Sequence, residues 1–270
     1  MESARAAPQG PSDAVLVTNR DARGSLVLLC DHASNALPPE LGSLGLDPAA
    51  LTAHIAWDPG AIEVATRMAR DLDAVLIESR VSRLVADCNR SLDAPDLVTP
   101  MSETTPVPGN QNLSPAERER RIALAWRPFH AAIEEVVAER LARGAETQLV
   151  SIHSYTPVYR GVVRPWQIGI LHDDDVRLAL PMIEALQAVP GLTVGDNQPY
   201  APSDGVYFTL EKHGRSRDLA CAMVEIRNDE IANETGQRRW ADLLSKILAD
   251  HAKRGAGMTG GARHAGQANA

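Results

Sequence analysis

Short apolar runs alternate along the chain with segments whose apolar positions recur at helical spacing. Leu26-Val27-Leu28-Leu29-Cys30 and Leu149-Val150-Ser151-Ile152-His153-Ser154-Tyr155 have strand length, and both end at or just before a histidine. Residues 74–78, 167–171, 192–194 and 222–227 read as further strands. Between them, Ile62, Ala65, Met68, Ala69 and Leu72 keep one helical face against Glu63, Arg67 and Arg70. Ser114-Pro115-Ala116-Glu117 supplies a cap, a first-position proline and a capping-box glutamate. The helix it starts runs towards Arg143 and is ended by Gly144, with a kink or break expected at Pro128. Residues 175–188, 207–219 and 236–251 complete the helices, the last with Trp240, Leu243, Leu244, Ile247 and Leu248 on its apolar side.

Strands that alternate with helices predict a single α/β domain whose mostly parallel mixed sheet is covered by helices on both faces. That domain is expected over residues 21–252, with a flexible N-terminal arm at 1–20 and a disordered Gly/Ala-rich tail at 253–270. Residues 91–113 hold Pro95, Pro100, Pro106, Pro108 and Gly109 without periodicity, which predicts a functional loop, either lid or rim.

Composition narrows the partners. The chain has 270 residues, enough to bury a sizeable core, and a net charge of −8 without a Lys/Arg block. That balance argues against nucleic acid. No apolar run reaches the roughly 20 residues of a membrane span. The N-terminus lacks the apolar stretch of a secretion signal, and the three cysteines are far apart, so a cytoplasmic protein with reduced thiols is expected.

Four constellations carry candidate chemistry. His32 and His153, each at the end of an apolar run, suit a divalent metal held on a rigid scaffold. Asn35 is a weak third donor, with Asp31 or Asp58 as the substitute carboxylate. Arg83, Asn89 and Arg90 offer donors with the geometry for a substrate carboxylate, although Asp87 and Asp93 could instead engage the arginines. Glu225, on a strand, can move a proton between water and a leaving amine, with pairing to Arg227 as the structural alternative. Tyr207, Thr209 and His213 follow a turn-rich stretch, and Thr209 and His213 share a helical face from which they could meet substrate polar groups or an oxyanion. His54 and His130 are weaker candidates, and His172, His251 and His264 receive no role.

In order along the chain, Asp31-His32-Ala33-Ser34-Asn35, Ile55-Ala56-Trp57-Asp58-Pro59-Gly60-Ala61, Ser82-Arg83, Asp87-Cys88-Asn89-Arg90, Ile152-His153-Ser154, Asp204-Gly205-Val206-Tyr207 and Glu225-Ile226-Arg227 resemble the N-formylglutamate amidohydrolase family. The similarity spans about Leu26 to Ile231. The family looks like a branch of the zinc carboxypeptidase-like fold. The resemblance implies that His32 and His153 bind zinc or another divalent metal, that Asn89 and Arg90 hold a substrate carboxylate, and that Glu225 is the general base. Asn35 stands where carboxypeptidases place a glutamate ligand. The activity implied is hydrolysis of N-formyl-L-glutamate to formate and glutamate. The alternatives are another N-acyl amino acid or short peptide as substrate, or a non-catalytic protein that binds an acidic ligand at a decayed metal site.

Overall fold

The computed structural model describes residues 13–261 and joins seven strands in one sheet. These are β1 (Val15–Thr18), β2 (Leu26–Cys30), β3 (Val75–Ser79), β4 (Gln148–Tyr155), β5 (Ile168–Leu171), β6 (Val194–Asp196) and β7 (Cys221–Arg227). Their spatial order is β1-β3-β2-β4-β7-β5-β6. β3, β2, β4 and β7 are parallel, as are β5 and β6, whereas β1 against β3 and β7 against β5 are antiparallel. The longer helices are α1 (Ala61–Asp71), α2 (Pro115–Leu124), α3 (Trp126–Ala142), α4 (Ala179–Gln187), α5 (Phe208–His213) and α6 (Glu234–Gly261).

Both faces of the sheet are covered, which is why the central strands read as unbroken apolar runs. Leu26, Leu28, Cys30, Val150, Ile152 and Val224 pack towards α1, α4 and α6, against Met68, Met182 and Trp240. Val27, Leu29, Leu149 and Met223 point the other way, to Phe129 and Ile133 of α3 and Leu210 of α5. Each such fully buried side chain contributes roughly 1.5–3 kcal/mol relative to exposure. The three cysteines are free and buried.

Several boundaries differ from the sequence reading. The arm expected at 1–20 contains β1: Val15 and Val17 pack on the core while Leu16 and Thr18 are exposed, a pattern too short to register as periodicity. Residues 1–12 lie outside the described chain. The break predicted at Pro128 falls at Ala125, between α2 and α3. Proline disfavours helix in the turn before it, so Pro128 sits in the first turn of α3, where its missing N–H costs nothing. The expected helix over 207–219 is only α5, followed by a 3₁₀ turn at Arg215–Arg217, because Gly214 interrupts it. The tail expected from 253 continues α6 to Gly261, and 262–270 lie outside the described residues. No helix among the described residues is long and apolar enough to cross a membrane.

The topology creates one privileged crevice. From β2 the chain adds β3 on one side and later β4 on the other, so the order reverses between β2 and β4. Loops leave such a switch point in opposite directions and open a cleft at the strands' carboxyl ends. His32 follows β2 and His153 lies towards the end of β4, so both are delivered there.

Gly60 turns the chain from Asp58 into α1 with φ +83°, and a Cβ there would lie 2.5 Å from the Ile231 carbonyl oxygen. Gly60→Ala is expected to lose about 2 kcal/mol or more in urea unfolding. Gly144, also left-handed at φ +67° but with open space around it, is the control. Gly144→Ala should lose only about 1 kcal/mol; equal losses would show that packing against Ile231 is irrelevant.

Candidate metal centre and substrate cavity

His32, Asp58 and His153 are each at most 2% exposed, and one donor atom of each lies within 4.8 Å of the others. Asp58 reaches the group from the loop before α1, fastened by its N–H to the His32 carbonyl at 3.0 Å. His153 Nδ1 and His32 Nδ1 face Asp58 Oδ2 at 2.8 and 3.3 Å. Arg83 Nη1 approaches the other oxygen of Asp58 at 3.2 Å, and His54 Nε2 lies 3.3 Å from it.

The far side of each ring is fixed as well. His32 Nε2 lies 2.7 Å from Asp87 Oδ1, an oxygen that also accepts the Asn89 N–H. His153 Nε2 lies 2.9 Å from Ser151 Oγ and 3.3 Å from Asp31 Oδ2. Ser151 has one hydroxyl proton and donates it to Asp31 at 2.7 Å, so it accepts from His153 Nε2–H. His153 therefore carries a proton on Nε2, and His32 Nε2 carries one towards Asp87; the Nδ1 atoms, which hydrogen-bond to Asp58, are the nitrogens that a cation would take in exchange for their protons. Neutral imidazole with a carboxylate behind it is the form that ligates metals.

The charges of the cluster depend strongly on one another. Burial opposes ionisation of Asp58, yet the charge of His32 and hydrogen bonds from His153, His32 and His54 hold it well below the usual carboxylate range. Burial also opposes Asp87, where Arg83 and His32 prevail. Burial and Arg83 disfavour protonated His32, but Asp87 and Asp58 raise its pKa; for His153, Asp31 and Asp58 overcome burial strongly. Loss of the Nδ1 protons to a cation would leave the rings neutral, and Asp31, Asp58, Asp87 and Arg83 would then carry two net negative charges, which a divalent ion would match. The donor set fits such an ion.

Glu225 of β7 is in register with His153 of β4. It is 5% exposed, and its Oε2 has no hydrogen-bond partner. Burial pushes its pKa up to about 7, against the charge of His153 and with the help of Asp58. The expected alternative partner, Arg227, pairs with Asp229 at 2.7 Å instead.

These groups line one cavity of about 470 Å³, together with Arg83, Asn89, Arg90 and His54. Asp96, Thr99, Met101, Ser102 and Glu103 make the loop at 91–113 one of its rims. Asn110 pins that loop, donating to the carbonyls of Leu84 and Thr99.

The other predicted site residues have different places. Asn35 donates to the Leu51 carbonyl at 2.8 Å and fastens a loop; Asp58 occupies the third donor position. Asp31 stands behind His153. Asn89 spends its amide on the Val206 carbonyl and the Thr209 N–H, so it braces the cavity wall. Thr209 is fully buried and donates its hydroxyl to Asp31. Tyr207 is buried beside Cys221, and His213 is stacked on His130 with ring nitrogens 2.8 Å apart, in the layer between α3 and α5. Neither lines the cavity: Tyr207, just before α5, packs into the apolar core, and His213, the last residue of α5, is fully buried against α3. Ser151 is a supporting residue absent from the sequence expectations, whereas Asp87, expected only as a partner for the arginines, pairs with Arg83 and also stands behind His32. Ser151 was detectable as the residue two before His153, on the same strand face.

A two-histidine, one-carboxylate group with a buried acid beside it, at the switch point of an α/β sheet, could hold a metal and is compatible with hydrolysis. The chain belongs to the N-formylglutamate amidohydrolase family, whose model matches residues 24–232, and this makes it a hydrolase of the amidohydrolase type. No curated protein matches the chain. Among solved structures, the gene product Atu2144 from Agrobacterium tumefaciens is 44% identical, with a TM-score of 0.87 over 89% of this chain and 95% of that one. An N-formylglutamate amidohydrolase from Ralstonia eutropha JMP134 shares the fold at 20% identity, with a TM-score of 0.65 over 90% and 99% of the two chains.

The carboxylate behind each imidazole should set metal affinity. Asp87→Asn is expected to weaken zinc binding by roughly 10- to 100-fold in competition with a chromophoric chelator. Unchanged affinity would mean that His32 is not a ligand.

Proposed function

We propose that the protein is a metal-dependent amidohydrolase that removes the acyl group from an N-acyl amino acid. Its substrate in this reading is N-formyl-L-glutamate, which yields formate and glutamate. The single observation that carries it is the buried, unpartnered Oε2 of Glu225 beside the His32–Asp58–His153 group. Zinc or another divalent cation held by those three residues would polarise the acyl carbonyl and lower the pKa of water there.

The chain's own residues do the rest. Glu225 accepts a proton from the attacking water and returns it to the leaving nitrogen, which departs as the amine. A pKa of about 7 suits both transfers, since the group is neither too weak a base nor too weak an acid near neutrality. Asp31, with Thr209 and Ser151 behind it, keeps the His153 ring from rotating. Arg90, fixed by Asp96 at 2.8 Å and by the carbonyls of Asn89 and Gly205, holds the carboxylate next to the scissile bond. Asn89 supports it through Val206 and Thr209. Arg83 stays with Asp58 and Asp87 and closes the inner wall.

Glu225→Gln is expected to lower kcat for formate release by roughly 10²- to 10⁴-fold while the melting temperature holds. In the wild type kcat/KM should fall on the acid side, where Glu225 becomes protonated. The limb should lie at or below about 7, because a neighbouring cation favours the carboxylate. Wild-type turnover in the glutamine variant would remove Glu225 from the mechanism.

A further inference from the structure

Three guanidinium groups line the cavity, and two are already matched. Arg83 is shared between Asp58 and Asp87 at 3.2 and 2.8 Å, and Arg90 is held by Asp96 at 2.8 Å. Arg160 has no carboxylate partner among the described residues; its guanidinium carbon lies 5.2 Å from the centre of the Tyr159 ring.

Its mounting is unusual. Arg160 is at the turn of a hairpin made by Val158–Tyr159 and Val162–Val163, which follows β4 and so begins a few residues beyond His153. Arg160 and Gly161 are the two central residues, with φ +49° and +81°. This is the handedness of a type I′ turn, where glycine or asparagine is the ordinary first residue. An arginine there carries backbone strain that glycine would relieve, and such strain collects at sites of function. The hairpin is also braced. Arg164, only 6% exposed, lies over the rings of Tyr159 and Tyr200 at 4.5 and 4.6 Å. The free cation is thus held at the cavity mouth by a stiff support.

We propose that Arg160 is a specificity residue that takes the side-chain carboxylate of an N-acyl dicarboxylic amino acid, leaving the α-carboxylate to Arg90. This rests on the amidohydrolase reading above. A planar fork without a protein partner can meet a carboxylate through two charge-assisted hydrogen bonds, which an amide in the same place cannot match. Glu103, on the rim loop, lines the same cavity, so a latch between Glu103 and Arg160 is the competing role.

N-formyl-L-glutamate and N-formyl-L-glutamine differ only in that carboxylate, so their hydrolysis by the metal-loaded wild type, Arg160→Gly, Arg160→Lys and Glu103→Gln forms the test. Glycine suits the turn, so Arg160→Gly should melt at or above the wild-type temperature, which separates lost selectivity from lost folding. The ratio of kcat/KM for the glutamate over the glutamine derivative should fall roughly 10- to 100-fold in Arg160→Gly, mainly through KM, and recover in part with lysine. Equal losses on both substrates, copied by Glu103→Gln, would overturn the inference in favour of the latch. An unchanged ratio would overturn it outright. A wild type that hydrolyses neither substrate would instead bring down the amidohydrolase reading and this inference with it.

Discussion

The carboxylate of Asp58 sits where two imidazole Nδ1 atoms, the guanidinium of Arg83, His54 and the Ser154 N–H converge. Such a cluster is a poor way to stabilise a fold. Desolvating several charges costs about as much as their attraction returns, and apolar replacements of similar volume are often neutral or stabilising. Its value lies in what it prevents. With Asp87 behind His32 and Asp31 behind His153, neither ring can rotate or change tautomer without breaking a buried hydrogen bond. The result is a fixed pair of nitrogen donors facing a fixed oxygen. Glu225 has the opposite treatment, buried without a full set of partners, and its raised pKa follows from that difference.

The parts of the site on regular structure were legible in the sequence. β2 and β4 are apolar runs that lead into His32 and His153, and β7 carries Glu225, so hydrophobic pattern located all three. Pattern also gave the layered α/β fold, because a sheet buried on both sides leaves unbroken apolar strands. The third donor was ambiguous for a physical reason. Asn35 is close to His32 in sequence, but its amide donates to the Leu51 carbonyl. Asp58, twenty-six residues from His32, is brought in by a backbone hydrogen bond and by the left-handed turn at Gly60. Neither feature has a periodicity to detect.

Tyr207, Thr209 and His213 show the limit of motif reading from the other side. Their residue types suit substrate contact, yet α5 turns them inward, and only Thr209 keeps a link to the centre, through Asp31. The rest of the cavity wall is instead built largely by irregular chain, the rim at 91–113 and the short hairpin bearing Tyr159 and Arg160. Strand and helix rules are silent there. The two halves of the cavity thus follow different rules: the sheet places the buried histidines and carboxylates, and loops shape the remaining walls.

The central claim is that His32 and His153 together present their Nδ1 atoms to one divalent ion. X-ray absorption on zinc-loaded protein measures this directly. The account predicts one zinc per chain, a nitrogen/oxygen shell near 2.0–2.1 Å and outer-shell scattering from two imidazoles, reduced to one in His153→Ala. A shell without imidazole scattering, or one unchanged in both His32→Ala and His153→Ala, would contradict it.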